Sequence, residues 1–256
     1  MKYVLGVSYD GTEFAGWQLQ KNARTVQGVL QEAAFVIFRK ETKIRGSGRT
    51  DAGVHALFQV CEFEAETSVP AEKIRDCFNR ILPCDVSVLV SAEVPDGFDC
   101  TRAARKKTYA YRAYFSECAL PLCERYEARL QCRVDTERMK KAAGLLVGRH
   151  DFKAFTATGS SAKTSEREIT SIVVRERADG NAVHYEIEVC GNGFLYNMVR
   201  IIAGELFAIG SGKGDGAVRE ALETGKRNLL AKTMPAKGLV LLNTQYDTLL
   251  FGDNKE

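Results

Sequence analysis

The stretch Gly46-Ser47-Gly48-Arg49-Thr50-Asp51-Ala52-Gly53-Val54-His55 places three glycines, an arginine, an aspartate and a histidine within ten residues. Glycines permit positive φ and tight turns. The run Leu57 to Phe63 follows at once and reads as a strand. A tight polar loop feeding a strand holds a carboxylate in a fixed pose, because the scaffold behind it is rigid. Arg49, two residues ahead of Asp51, is placed to keep that carboxylate ionised by charge pairing. A structural role is also open: a hairpin-type loop in which Asp51 accepts backbone N–H bonds. A hydrolase built on Ser47, Asp51 and His55 is weakly supported. The nucleophile-elbow pattern Gly-x-Ser-x-Gly is missing, and three residues so close in sequence rarely align as a triad.

Upstream, Lys2 to Tyr9 alternates, with Tyr3, Leu5, Val7 and Tyr9 on one face of a strand, and Asp10-Gly11-Thr12 turns the chain. Trp17, the single tryptophan, stands beside Gln18 and near Gln20. It suits either contact with a base or a core anchor. Thr25 is an N-cap for a helix through Phe38, with Val26, Leu30, Ala33 and Ile37 at helical spacing.

Downstream, Pro70 opens a helix with Ile74, Cys77, Phe78 and Ile81 inward; Pro83 ends it, and Val86 to Val90 is a buried strand. A boundary falls near residues 100–107 without a flexible linker. Tyr109 to Tyr114 alternates, with Tyr109 and Tyr111 on one strand face directly behind Arg105-Lys106-Lys107. Charge followed by aromatic rings suits nucleic acid, though aromatic strand faces also build cores. Asp135 caps a helix through Val147, and His150 is a cap or turn residue. Residues 156–168 read as a mobile loop. Ile172 to Arg177 and Val183 to Val189 form a hairpin around Asp179-Gly180-Asn181, with His184 facing solvent.

Gly191-Asn192-Gly193-Phe194 starts a long helix carrying Met198, Ile201, Ile202, Leu206 and Ile209. Arg200, within that apolar segment, needs a partner, and a carboxylate from elsewhere is the natural one. Gly212-Lys213-Gly214 fails the Walker spacing. A helix over Asp215 to Thr224 and a last strand, Val240 to Tyr246, complete the chain. Interleaved strands, helices and hairpins give an α+β class with mainly antiparallel sheets covered by helices.

A chain of 256 residues builds one large domain or two small ones. Apolar content of 45% against 27% charged residues describes a globular protein, and no run of about 18 apolar residues is long enough to span a membrane. The N-terminus turns polar at Ser8, too early for a signal peptide. None of the eight cysteines forms a Cys-x-x-Cys pair, so no metal site is expected, and most read as small buried hydrophobes in a reducing cytoplasm. Net charge is only +3. Even so, Arg102, Arg105, Lys106 and Lys107 cluster, as do Arg39, Lys40, Lys43, Arg45 and Arg49. Such clusters either contact phosphates or form solvated surface.

Tyr9-Asp10-Gly11-Thr12, Phe14, Gly16-Trp17-Gln18, Gly48-Arg49-Thr50-Asp51-Ala52-Gly53-Val54-His55, Lys107-Thr108-Tyr109-Ala110-Tyr111, Met198-Val199-Arg200 with Gly204, and Pro235 with Gly238-Leu239 occur in this order. Together they resemble the tRNA pseudouridine synthase A (TruA) family from end to end. Met234 departs from the pattern, which commonly has a small residue before the proline. The resemblance implies isomerisation of uridine to pseudouridine at positions 38, 39 and 40 of the tRNA anticodon stem-loop, with no cofactor or metal. It implies a cytoplasmic homodimer. Its fold is α+β, with two similar halves, residues 1–104 and 105–256, flanking a basic cleft. It implies that Asp51 is the catalytic aspartate, that Tyr109 stacks on the target uracil, and that Arg200 pairs with Asp51. Arg49 then displaces or holds the flipped nucleotide, and Arg105, Lys106 and Lys107 bind phosphates.

Overall fold

The computed structural model describes residues 1–159, 162–247 and 250–251. Its contacts divide into two compact units: Met1–Lys106 together with the described residues from Leu241 onward, and Lys107–Val240.

In the first unit, β1 (Lys2–Tyr9), α1 (Val26–Phe38), β2 (Arg45–Gly46), β3 (His55–Glu64), α2 (Ile74–Asn79) and β4 (Val86–Val94) follow in order. β1 is central and antiparallel to both neighbours, with Leu5 opposite Cys61 of β3 and Ser91 of β4. Its alternation is real, but both of its faces are covered, so Val4 is as buried as Tyr3 and Leu5. Thr25 caps α1 by accepting the Gly28 N–H at 3.2 Å, a bond worth about 1 kcal/mol. The rings of Tyr3, Phe38, Phe63 and Phe78 close the core beneath it at centroid distances of 5.6–6.3 Å. Stacked, tilted and edge-on pairs of this kind add about 0.5–1.5 kcal/mol each beyond burial. The helix after Pro70 is shorter than its spacing predicts: Ile74 and Phe78 are buried, but Ile81 lies past its end and is 41% exposed.

The second unit takes most of β5 (Ala104–Phe115), then β6 (Ala128–Arg129), α3 (Thr136–Gly144), β7 (Gly148–Asp151), β8 (Glu166–Asp179), β9 (Ala182–Gly191), α4 (Met198–Gly210) and α5 (Gly216–Thr224). Its sheet runs β5-β9-β8-β7, antiparallel throughout, with the short β6 added parallel to β5. Asp135 Oδ1 caps α3 through the N–H groups of Glu137 and Arg138 at 2.9 and 3.2 Å. The helix stops at Gly144 rather than Val147. Of the loop expected over 156–168, residues 160 and 161 lie outside the described residues, and from Glu166 the chain is already in β8. α4 is buried nearly all round, which explains its apolar composition. It starts at Met198 because Asn197, at φ 61°, turns the chain into it.

Finally β10 (Leu239–Tyr246) returns to the first unit, where it pairs with β3 and Tyr246 donates its hydroxyl to the Cys100 carbonyl at 2.9 Å. Only Cys61 and Cys100 are fully buried, while Cys84, Cys118 and Cys132 are exposed, so the reading of most cysteines as core residues is corrected. His184 is also corrected: its side chain is 14% exposed and bonds Glu127 across 2.8 Å instead of facing solvent. No helix among the described residues is long and apolar enough to cross a membrane.

Candidate active site

Asp51 stands half-buried at the head of a tight turn in the first unit. Its carbonyl accepts the Val54 N–H at 3.1 Å, and Gly53 between them has φ 77°, the conformation this type of turn demands. Of the three glycines in the stretch, only Gly53 has positive φ. Gly46 serves close approach instead, since a Cβ there would lie 2.6 Å from the Trp17 indole. Trp17 itself is 1% exposed, which decides for the core anchor over the base contact.

The turn is clamped by the segment after β1. Trp17 N–H donates to Thr50 O at 3.1 Å, Gly53 N–H donates to Phe14 O at 3.2 Å, and Tyr9 and Thr50 join hydroxyls at 2.8 Å. Gly11 N–H donates to His55 Nδ1 at 3.0 Å. Gly11 and Gly16 let the two segments touch: a Cβ on Gly11 would lie 2.0 Å from Val54 O, and one on Gly16 would lie 2.7 Å from Thr50 O. These supports, 33 to 44 residues away in sequence, were not assigned a role by local reading. The two glycines within the Gly11–Trp17 stretch are the signal that could have found them.

This geometry also removes the hydrolase reading. Ser47 is fully buried, while His55 accepts the Gly11 N–H. Arg49, two residues ahead of Asp51, is exposed. It lines a groove of about 1030 Å³ with Gln18, Lys40, Lys43, Arg45 and Glu64. Arg45 is committed there to Glu62 and Asp99.

In the second unit, Tyr109 is 8% exposed on β5, packed edge-on to Phe194 with centroids 5.4 Å apart. Tyr111 lies on the same face and is wholly buried. Burial pushes its phenol well above the ordinary range, so it stays protonated and donates to Pro235 O at 2.8 Å. Arg200, on the first turn of α4, directs Nε to Met234 O at 2.7 Å and one terminal nitrogen to Asn197 Oδ1 at 2.6 Å. Its charge reaches Tyr111, holding that pKa lower than burial alone would. The Gly212-Lys213-Gly214 segment is no phosphate loop: Lys213 Nζ pairs with the buried Glu205 at 2.8 Å. Of the basic residues, Arg105 is exposed and bonded to Asp247 at 2.5 Å, and Lys106 and Lys107 are half-buried.

A family model described as tRNA pseudouridine synthase matches residues 6–101 and 142–247, segments that contain Asp51 and Arg200. A tRNA pseudouridine synthase A of Thermoanaerobacter sp. is 40% identical over 244 residues, covering 95% of this chain and 98% of that one. One of Ruminiclostridium cellulolyticum is 40% identical over 246 residues, covering 96% and 99%. A tRNA pseudouridine synthase A 2 of Bacillus cereus is 38% identical over 246 residues, covering 95% and 99%. Among solved structures, a crystal structure of the archaeal box H/ACA sRNP Nop10-Cbf5 complex aligns over 97% of this chain and 50% of that one. Its 12% identity and TM-score of 0.34 are too low to bear on function. With a model matched across most of its length and relatives near 40% identity end to end, the chain belongs to the tRNA pseudouridine synthase family, isomerases that convert uridine in tRNA to pseudouridine.

Proposed function

We propose that this enzyme isomerises uridine at positions 38, 39 and 40 of the tRNA anticodon stem-loop, with Asp51 as the catalytic carboxylate. The observation that carries the reading is the clamped turn: half-buried Asp51 sits on main chain held by backbone contacts from the segment after β1, in a chain of this family. The reaction breaks the N1–C1′ bond, turns the uracil and joins C5 to C1′. C5 loses its proton and N1 gains one, so no electron or group leaves and no cofactor is required. Whether Asp51 adds to the nucleotide or removes a proton at the sugar, it must be ionised. Arg200, held by Met234 and Asn197, supplies the positive charge that keeps it so. Tyr109 stacks on the uracil, which must leave its own base stack to be reached. Arg49 holds the displaced nucleotide, and its exposed place on the lining of the groove supports that role. Arg105, Lys106 and Lys107 contact phosphates, so binding weakens with salt. The working form is a homodimer in the cytoplasm.

The test is pseudouridine mapping on an unmodified tRNA transcript incubated with wild type or with Asp51→Ala. Signal at anticodon-arm uridines with wild type alone is expected. Signal that survives in Asp51→Ala removes Asp51 from the chemistry, and wild-type signal elsewhere in the tRNA removes the positional assignment.

A further inference from the structure

Cys123, Glu127 and His184 converge in the second unit, with one thiol, one carboxylate and one imidazole atom all within 4.8 Å of one another. The Glu127 N–H donates to Cys123 O at 2.9 Å, a single helical turn, so both side chains leave the same side of the 120–127 segment. His184 arrives from β9, in register with Tyr114 of β5 and Arg177 of β8. Its Nδ1 lies 2.8 Å from Glu127 Oε2. All three residues are half-buried.

The surroundings hold this trio in place. Leu120 N–H donates to the Tyr114 hydroxyl at 3.0 Å, and that hydroxyl donates to Glu124 Oε1 at 2.5 Å. Lys237 takes the other Glu124 oxygen at 2.6 Å, so Glu124 is engaged elsewhere. The Tyr114 ring lies 6.2 Å from the His184 ring, centroid to centroid. The negative charge of Asp179 is felt at Cys123.

We propose that Cys123, Glu127 and His184 form a site for one divalent transition-metal cation of the zinc class. Magnesium and calcium prefer all-oxygen shells, whereas thiolate, imidazole and carboxylate together suit zinc or cobalt(II). Ligand bonds of about 2.0–2.3 Å set tetrahedral donors roughly 3.3–3.8 Å apart, so small rotations of these side chains close the shell. Binding releases the Cys123 thiol proton and any proton shared between His184 and Glu127, and leaves one position for water. Tyr114 is five residues along β5 from Tyr109, about 16 Å in a strand, so the ion ties the 120–127 turn to β9 and takes no part at the uracil. The sequence hid the site because its ligands combine a four-residue step with one 57 residues away, and no cysteine pair marks it.

Cobalt(II) titrated into the metal-stripped wild-type protein, with a phosphine as reductant, tests the proposal. A thiolate-to-cobalt charge-transfer band saturating at one equivalent is expected, together with a higher melting temperature in zinc. Cys123→Ser abolishes the band, and His184→Ala weakens binding by at least about tenfold. Glu127→Gln keeps the shape and the bond to His184, so its expected weakening of about tenfold or more does not depend on a damaged fold. Cys118→Ser, a neighbouring exposed thiol, leaves the band unchanged. A wild type without the band, a band that persists in Cys123→Ser, or equal affinity in Glu127→Gln overturns the site.

Discussion

Arg200 and Met234 bond each other twice: Arg200 Nε donates to Met234 O at 2.7 Å, and Met234 N–H returns to Arg200 O at 3.3 Å. The guanidinium is thereby fixed by main chain, which does not depend on what side chain residue 234 carries. That accounts for Met234 being accommodated where a small residue is the expectation.

A lysine at 200 cannot reproduce the planar fork that reaches Met234 O and Asn197 Oδ1 together. Arg200→Lys is expected to lower kcat on a tRNA transcript by about a hundredfold, the scale of losing one preorganised electrostatic group, with KM little changed. An unchanged kcat removes Arg200 from the site.

For Tyr109→Phe the ring and its edge-on contact with Phe194 remain, so tRNA affinity stays within about twofold while kcat drops by at least about fivefold, the worth of one hydrogen bond. Filter binding and single-turnover kinetics on the same preparation separate the two effects. Equal turnover means that the hydroxyl is idle.

Gly11→Ala drives a methyl to within 2.0 Å of the Val54 carbonyl, and neither backbone can yield. A loss of about 1–3 kcal/mol in urea unfolding, with reduced activity from the displaced Asp51 turn, is expected. Gly144→Ala is the contrast. Nothing lies within 4 Å of a Cβ there, and the residue ends α3, so a gain of up to about 1 kcal/mol is expected.

Glu205 is wholly buried in α4, where one oxygen takes Lys213 Nζ at 2.8 Å and the Ala231 N–H at 2.7 Å. It anchors the segment leading to Met234. Glu205→Ala strands the Ala231 N–H, while Lys213 keeps the Leu229 carbonyl at 2.9 Å, and is expected to cost about 1–3 kcal/mol in denaturant unfolding. A cost under about 1 kcal/mol would show that the pair is dispensable.

Burial, reinforced by the Glu62 carboxylate, pushes the Cys100 thiol up to about 12, and burial raises Cys61 as well. A raised pKa keeps the unreactive thiol form at pH 8. Iodoacetamide at that pH is expected to label exposed Cys84, Cys118 and Cys132 and to spare Cys61 and Cys100 until the protein is unfolded, as read by peptide mass.

Much of the fold was legible locally. Thr25 and Asp135 cap their helices as read, the Gly180-Asn181 hairpin forms, and Trp17 is a core anchor, because capping, turn chemistry and burial of large rings act over a few residues. Element lengths were less legible. Ile81 falls outside α2 and β8 begins at Glu166, since packing and pairing partners extend or trim an element regardless of its own propensity.

The sequence by itself determined the α+β class, the turn that carries Asp51, and membership of a family whose motifs recur in order along the chain. Those features rest on backbone preferences and residue types that neighbours in the chain express. Tertiary structure alone decided that Gly11 and Gly16 clamp the turn, that Met234 fixes Arg200, that β10 rejoins the first unit, and that Cys123, Glu127 and His184 meet. Each is a contact between residues far apart in the chain. Its free energy comes from close packing and satisfied polar groups in the folded state, for which a linear sequence carries no local signal.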